Sequence, residues 1–236
     1  DNIHSMYVDQ WDWEKIISKG QRKLCYLKST VKKIYSVILS IAKEVNKAYP
    51  ILTYDLPDEI CFITTKELEA MYPNLSGKER ENAITKEKKA VFLMQIGVPL
   101  ASGKPHDGRA ADYDDWRLNG DLLLWHAPLN MALELSSMGI RVDEVALVKQ
   151  LEAKNELYKL ENDYCKSLIN KELPYTIGGG IGQSRLCMYF LKKVHIGEVQ
   201  ASLWPTEMVK KMEEEKVIAG NFIHDIIDKE LKGGVN

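Results

Sequence analysis

Apolar residues recur at steps of three and four through the first quarter of the chain, with polar residues between them. The apolar positions are Leu24, Leu27, Val31, Ile34, Ile38, Ile41 and Val45. This spacing predicts one long amphipathic helix, because residues three and four apart lie on the same helix face. Tyr49 and Pro50 mark its expected end, since proline cannot continue a helix. The opposite face is rich in lysine, and we interpret it as a solvated surface.

Four shorter apolar runs predict β-strands. They occupy residues 59–63, 90–97, 122–125 and 131–135. Each is short and bounded by polar or turn-forming residues, which is typical of a strand. Ala127 and Pro128 separate the last two runs, so we expect those strands to be joined by a hairpin turn.

Polar residues at characteristic spacings predict where further helices begin. Thr64 with Glu67, and Ser76 with Glu79, have the spacing of a helix capping box. Asp143 is expected to cap a helical region that continues, with a break, to about residue 170. Helices and strands in this order predict an α+β fold with antiparallel strand pairing.

Residues 177–185 combine four glycines with one arginine. The glycines are Gly178, Gly179, Gly180 and Gly182, and Arg185 follows them. We predict a short strand, a glycine turn and a buried helix over residues 186–191, with the arginine at the helix start as a cationic fork for phosphate. Gln183 breaks the dinucleotide-binding and phosphate-loop patterns. From this segment alone, a turn that merely lets a helix pack on a sheet is an equal alternative.

Composition limits the classes of partner. The chain has 236 residues, of which 45% are hydrophobic, and a net charge of -2. One domain with a substantial core is therefore expected. No basic field favours nucleic acid or an anionic membrane, and the longest apolar runs are too short to cross a bilayer. We predict a soluble protein that binds neither nucleic acid nor membrane.

The cysteines show no metal-binding or disulfide pattern. Cys25, Cys61, Cys165 and Cys187 lie far apart in the sequence. Three of them stand in apolar contexts, which favours small buried thiols and a reducing, cytoplasmic compartment.

Acidic residues interrupt two of the predicted strands. Asp121 and Glu134 stand among apolar neighbours, and buried carboxylates usually meet cations or hydrogen-bond donors. Oxygen ligands of this kind suit Mg²⁺ shared with phosphates. Residues 112–115 hold three further aspartates, and for that segment alone we prefer a solvated acidic loop.

Five segments, in colinear order over nearly the whole chain, closely resemble the ammonia-dependent asparagine synthetase (aspartate–ammonia ligase) family. They are residues 4–14, 109–116, 118–121, 134–143 and 176–186. The resemblance implies a catalytic domain like that of class II aminoacyl-tRNA synthetases, an antiparallel β-sheet flanked by helices that binds ATP. The glycine-to-arginine segment would be the third class-defining motif of that fold. The family typically forms homodimers.

The resemblance also implies an activity and assigns site residues. Aspartate, ATP and ammonia would be the substrates, asparagine would form through β-aspartyl-AMP, and Mg²⁺ would assist. Residues implied to take part in catalysis are Asp114, Arg185 and Arg109. Residues implied to bind aspartate are Gln10, Asp12 and Asp114. Residues implied to bind ATP are Arg185, Gly180, Gly182, Ser137 and Arg141. The implied metal ligands are Asp121 and Glu134.

Two departures from the family pattern qualify these expectations. Family members carry roughly a hundred further residues before the segment that matches His4, the size of a small domain. We therefore expect residues 1–236 to be one catalytic domain, the C-terminal two-thirds of a complete ligase. The stretch between Trp116 and Leu118 is also shorter than the family's usual polar, glycine-containing loop, which indicates either a natural deletion or a mobile loop left out of the sequence. Alternative hypotheses are a tRNA synthetase-like paralogue that activates aspartate for another acceptor, and an incomplete fragment that serves as an interaction module.

Overall fold

A mixed six-stranded β-sheet forms the centre of the protein in a computed structural model that describes residues 1–214. The predicted domain's last part, residues 215–236, lies outside the described residues. The strands are β1 (Gln10–Ile16), β2 (Cys61–Thr64), β3 (Ala90–Met94), β4 (Asp114–His126), β5 (Met131–Arg141) and β6 (Thr176–Gly182). Their spatial order is β1-β6-β5-β4-β3-β2. Neighbouring strands are antiparallel except for the parallel pair β2 and β3.

Helices cover the sheet, and the prediction of an α+β fold is confirmed. They are α1 (Leu24–Ala48), α2 (Thr65–Met71), α3 (Gly77–Lys88), α4 (Glu144–Ala153), α5 (Asp163–Ile169), α6 (Gln183–Phe190) and α7 (Thr206–Glu214). Alternation along β3 and β4 separates two cores. Phe92 and Leu122 pack with the apolar stripe of α1 and with α6, whereas Leu93 and Leu123 pack with α2 and α3. Among the described helices, none has both the length and the apolar character that crossing a bilayer requires.

The sequence signals for helices are borne out. The long helix α1 ends at Ala48, directly before Tyr49 and Pro50. The hydroxyl groups of Thr64 and Ser76 accept hydrogen bonds from backbone N–H groups three residues later, as capping boxes require. Asp143 accepts from two backbone N–H groups at the start of α4. The predicted hairpin joins β4 and β5, but both strands extend well beyond their apolar runs.

The predicted glycine turn is wrong, because Gly178, Gly179 and Gly180 form the interior of β6 and Gly182 is its last residue, directly before α6. This strand pairs with β1 on one side and with β5 on the other. A Cβ atom on Gly178 would lie 2.0 Å from Oε2 of Glu14, and one on Gly179 would lie 2.5 Å from Cβ of Met138. Close approach within the sheet, and not a reversal of the chain, explains the lack of side chains.

The prediction of buried thiols holds only for Cys165. Cys61 is partly exposed, and Cys25 and Cys187 lie on exposed faces of α1 and α6. An apolar sequence context therefore did not determine burial, since both helices place one face toward solvent. All four thiols are free.

Candidate active site

A cleft of about 370 Å³ lies over the glycine strand, at the end of the sheet formed by β1, β6 and β5. It brings together all the predicted site residues except Asp121 and Arg141. The predicted residues that line it are Gln10, Asp12, Arg109, Asp114, Glu134, Ser137, Gly180, Gly182 and Arg185. Asp121 and Arg141 lie behind this lining, where each forms an ion pair with a residue of the cleft.

One row of residues across four strands forms the middle of the cleft. Asp121 of β4 pairs with Ser137 of β5, which pairs with Gly180 of β6, which pairs with Asp12 of β1. Residues directly opposite one another project to the same side of a sheet. A Cβ atom on Gly180 would lie 2.7 Å from a carboxylate oxygen of Asp12 and 3.1 Å from the amide oxygen of Gln10. The glycine therefore keeps the floor of the cleft open between polar walls.

A β-bulge in β5 brings Glu134 to the same side. Ser136 pairs with Leu122, but Glu134 pairs with Leu123, so β5 has one extra residue at this point. The shift gives Glu134 the same facing as Asp121 and Ser137, although simple alternation from Ser137 would point it the other way.

Arg185 stands at the end of the cleft nearest Glu134. It lies in the first turn of α6, directly after β6, and its Nη1 donates to the backbone carbonyl of Glu134 at 2.9 Å. The same nitrogen lies 3.9 Å from Oε2 of Glu134, and Nε donates to the carbonyl of Ile3. These contacts fix the cationic group where it can meet an anion in the cleft.

Asp121 has the character of an incompletely satisfied anion. Its Oδ2 accepts a hydrogen bond from Arg109, while its Oδ1 is buried and accepts no well-aligned hydrogen bond from residues 1–214. Burial and then the nearby Glu134 carboxylate raise the pKa of Asp121 above its ordinary range, and Arg109 and the hydroxyl of Ser137 oppose this rise. Within residues 1–214, no group of three or more His, Cys, Asp or Glu side chains is placed to hold a metal ion. A cation bound by Asp121 and Glu134 would therefore need further oxygen ligands, as Mg²⁺ obtains from phosphates.

The opposite end of the cleft is organised around Arg141. Its Nη1 donates to Asp114 at 2.6 Å, and its Nη2 and Nε donate to Glu14 at 2.7 and 3.1 Å. The ring of Tyr113 covers the guanidinium at 4.0 Å. Burial raises the pKa of Asp114 to about 6, against the attraction of Arg141. Because its donors already have carboxylate partners here, the predicted contact of Arg141 with ATP stays a prediction.

The expectation of a solvated acidic loop at residues 112–115 is wrong for its second half. Asp114 and Asp115 begin β4 and are buried, with exposures of 6% and 1%. Arg141 and Arg22 neutralise them. A run of acidic residues resembles a solvated loop in the sequence because their buried cationic partners, Arg22 and Arg141, are distant along the chain.

The stretch between Trp116 and Leu118, where the family usually has a longer loop, forms an irregularity inside β4. Pairing with β5 stops after Asp114 and resumes at Asn119. Gln150 of α4 holds this stretch, since its side-chain oxygen accepts from the N–H of Trp116 and its amide donates to the carbonyl of Asp114.

Two residues of this region were not among the sequence-based candidates. The side chain of Arg22 is buried, pairs with Asp115 at 3.2 Å and Asp143 at 3.1 Å, and donates to the carbonyl of Arg141. Nothing in the local sequence distinguishes Arg22 from a surface arginine. Glu14 was detectable, because it continues the period of two set by Gln10 and Asp12 along a strand.

A sequence model of the family described as Aspartate-ammonia ligase matches residues 1–216. Two curated relatives carry the name Aspartate--ammonia ligase. The chain is 61% identical to the protein from Clostridium tetani, over 91% of this chain and 63% of that relative. It is 60% identical to the protein from Ligilactobacillus salivarius, over 92% of this chain and 65% of that relative. The chain thus spans just under two thirds of the length of these relatives.

Solved structures share the fold at low sequence identity. Asparaginyl-tRNA synthetase from Pyrococcus horikoshii, complexed with asparaginyl-adenylate, matches with a TM-score of 0.62 and 17% identity, over 87% of this chain and 50% of that one. Aspartyl-tRNA synthetase from Entamoeba histolytica matches with a TM-score of 0.58 and 20% identity, over 85% of this chain and 44% of that one. The sheet and helices are therefore arranged as in these synthetases.

Proposed function

Because the chain belongs to the aspartate–ammonia ligase family, we propose that it catalyses the ATP-dependent synthesis of L-asparagine from L-aspartate and ammonia. The observation that carries this proposal is the cleft itself, which has a cationic side chain for phosphate at one end and a buried carboxylate at the other. Arg185 and Glu134 lie toward one end, and Asp114 and Arg141 lie toward the other.

In the first step, the β-carboxylate of aspartate attacks the α-phosphorus of ATP. The bond between that phosphorus and the bridging oxygen breaks, giving β-aspartyl-AMP and pyrophosphate. Both reactants are anions, so the site must supply positive charge at the phosphates. Arg185 is fixed by the Glu134 carbonyl at the end of the cleft and provides such a charge.

Asp121 and Glu134 would hold Mg²⁺, whose charge offsets the repulsion between the phosphates and the incoming carboxylate. The buried Oδ1 of Asp121 fits this role, because the described residues give it no well-aligned hydrogen-bond donor. Phosphate oxygens of ATP would complete the ligand set.

Aspartate would lie between β1 and β5, above Gly180. Gln10 and Asp12 present an amide oxygen and a carboxylate beside that glycine, and both suit an α-ammonium group. Gly180 leaves room for the substrate, because a side chain at this position would crowd the side chains of Asp12 and Gln10.

In the second step, ammonia attacks the activated carbonyl carbon, and AMP departs with the electron pair of the broken C–O bond. Asp114 stands buried at the end of the cleft opposite Arg185, where its carboxylate would accept a hydrogen bond from the incoming ammonia. Its raised pKa, about 6, leaves it ionised near neutral pH and basic enough to accept a proton from the forming amide.

The hypothesis of a tRNA synthetase-like paralogue has no comparable support. The two tRNA synthetase structures compared are 20% and 17% identical to the chain in sequence. Similarity at this level concerns the fold alone. The prediction of a homodimer and that of a cytoplasmic location stay predictions.

Product analysis with the complete gene product tests the proposal. Release of AMP from Mg-ATP should require aspartate and ammonium, and glutamine should not replace ammonium. Arg185→Ala should lower the rate by about 100-fold or more, the usual cost of losing one preorganised electrostatic group. Equal rates with glutamine, or AMP release that ammonium leaves unchanged, would contradict the ligase assignment. Unchanged turnover of Arg185→Ala would contradict its role at the phosphates.

A further inference from the structure

The ion pair between Arg109 and Asp121 lies where the proposed function requires a metal ion. Arg109 belongs to the segment between β3 and β4, outside both strands, and its side chain is mostly buried. Its Nη2 donates to Oδ2 of Asp121, and its Nη1 donates to the carbonyl of Gly108 at 2.9 Å. The guanidinium also lines the cleft. It therefore reaches Asp121 on one side and the substrate space on the other.

Asp121 is only half satisfied by this contact. Its second oxygen is buried and accepts no well-aligned hydrogen bond from the described residues, although the Ser137 hydroxyl interacts with this carboxyl group, and the side chain is 8% exposed. A buried carboxylate with no cation at all would be costly, so some positive group must be present when metal is absent. Arg109 is the group that supplies this charge in the structure.

A divalent ion at Asp121 and Glu134 would place two positive charges next to the guanidinium. Like charges at contact distance in a buried site repel strongly. A polyphosphate in the same cleft would offer Arg109 a new anionic partner in place of the Asp121 carboxylate.

We propose that Arg109 is an exchangeable cation: it neutralises Asp121 while the metal is absent, and transfers to the ATP phosphates when the metal binds. This inference rests on the proposed function and deepens it. Metal alone must displace Arg109 from Asp121 and leave it only the exposed Asp107 carboxylate, 3.5 Å from Nη1, and so binds weakly. Metal with ATP binds tightly, and by reciprocity ATP binds more tightly in the presence of metal.

Binding of Mn²⁺ tests this exchange without turnover. Mn²⁺ accepts the oxygen ligands that suit Mg²⁺, and electron paramagnetic resonance measures its free concentration. The titration uses the complete chain at pH 8, with and without an ATP analogue that has a methylene group between the α and β phosphorus atoms. Arg109→Gln removes the competing cation. Arg117→Gln is the matched control, because Arg117 also pairs with an aspartate of β4 but is mostly exposed and does not line the cleft.

Without the analogue, Arg109→Gln should bind Mn²⁺ about tenfold more tightly than wild type, a typical size for coupled sites. The gain in affinity caused by the analogue should shrink in this variant and persist in Arg117→Gln. Adding Asp121→Asn to Arg109→Gln should remove the gained affinity, which would locate the ion at Asp121.

Equal or weaker Mn²⁺ binding by a folded Arg109→Gln variant would overturn the exchange, as would an equal gain in Arg117→Gln. Absence of Mn²⁺ binding in every protein would overturn it too. Because none of these measurements depends on asparagine formation, ammonium-dependent AMP release in the same preparations would show that the proposed function survives such a failure.

Discussion

Replacing Asp114 with Asn should give a variant whose stability relative to wild type changes with pH. Asp114 is buried at the start of β4, where one carboxylate oxygen accepts a hydrogen bond from Arg141. Burial raises its pKa from 3.8 to about 6, and the attraction of Arg141 offsets only part of that rise. The folded protein therefore holds this proton more tightly than the unfolded chain does.

The size of the effect follows from the difference between the two pKa values. A rise from 3.8 to about 6 corresponds to about 3 kcal/mol, since one pH unit is worth about 1.36 kcal/mol. At low pH the carboxyl group is protonated in both states and contributes nothing. As pH rises from about 4 to about 7, the folded state must give up a proton that it binds preferentially, so wild type should lose about 3 kcal/mol relative to the variant.

Urea denaturation of both proteins across this pH range measures the difference in the free energy of unfolding. Asp143→Asn provides a comparison of opposite sign. Burial opposes ionisation of Asp143, but the N–H groups of α4 and the guanidinium of Arg22 outweigh it and lower its pKa. Wild type should therefore gain stability over Asp143→Asn as pH rises.

A wild-type advantage over Asp114→Asn that grows with pH would refute the reasoning. That outcome would mean that the ion pair with Arg141 outweighs burial and lowers the pKa of Asp114. A difference that stays constant would refute it as well, because burial and the ion pair would then cancel.

Two further substitutions test the packing beneath the cleft, both by urea denaturation at neutral pH. Arg22→Met should cost about 1–3 kcal/mol, because it removes the buried cation that pairs with Asp115 and leaves this carboxylate to the mostly exposed Arg117, and a loss below about 1 kcal/mol would contradict this. Gly178→Ala should cost about 1–3 kcal/mol, since its Cβ would lie 2.0 Å from Oε2 of Glu14 and 2.6 Å from a backbone carbonyl. Gly182→Ala should cost much less, because the nearest atom lies 3.6 Å away, so equal losses would point to backbone freedom instead of space.

Local signals in the sequence predicted those features of the fold that depend on neighbouring residues. The apolar spacing of three and four residues predicted α1, because the buried face of a helix is made of apolar residues that recur at this spacing. Capping residues located the starts of α2 and α3, since the hydrogen bonds of a cap span only three residues.

Features that depend on distant partners were less accessible. The glycines of β6 show no strand alternation, because their role is to make room for Glu14 and Met138 on neighbouring strands. Burial of Asp115 depends on Arg22, which lies more than ninety residues earlier in the chain. Resemblance to a family, and no local pattern, indicated most of the residues that meet in the cleft.

The bulge in β5 shows why Asp121 and Glu134 had to be considered together. Regular alternation from Ser137 would place Glu134 on the face that packs against α1, where a carboxylate would be costly. One extra residue in β5 reverses its facing and puts it beside Asp121, whose pKa its charge raises. Two carboxylates held close together by the bulge repel each other, so a cation is needed to stabilise them. In the described chain Arg109 pairs with Asp121 and Arg185 approaches Glu134, so each acid has its own arginine. Both arginines line the cleft, and under the proposed function a metal–nucleotide complex would exchange with them and supply new partners for both acids and both arginines.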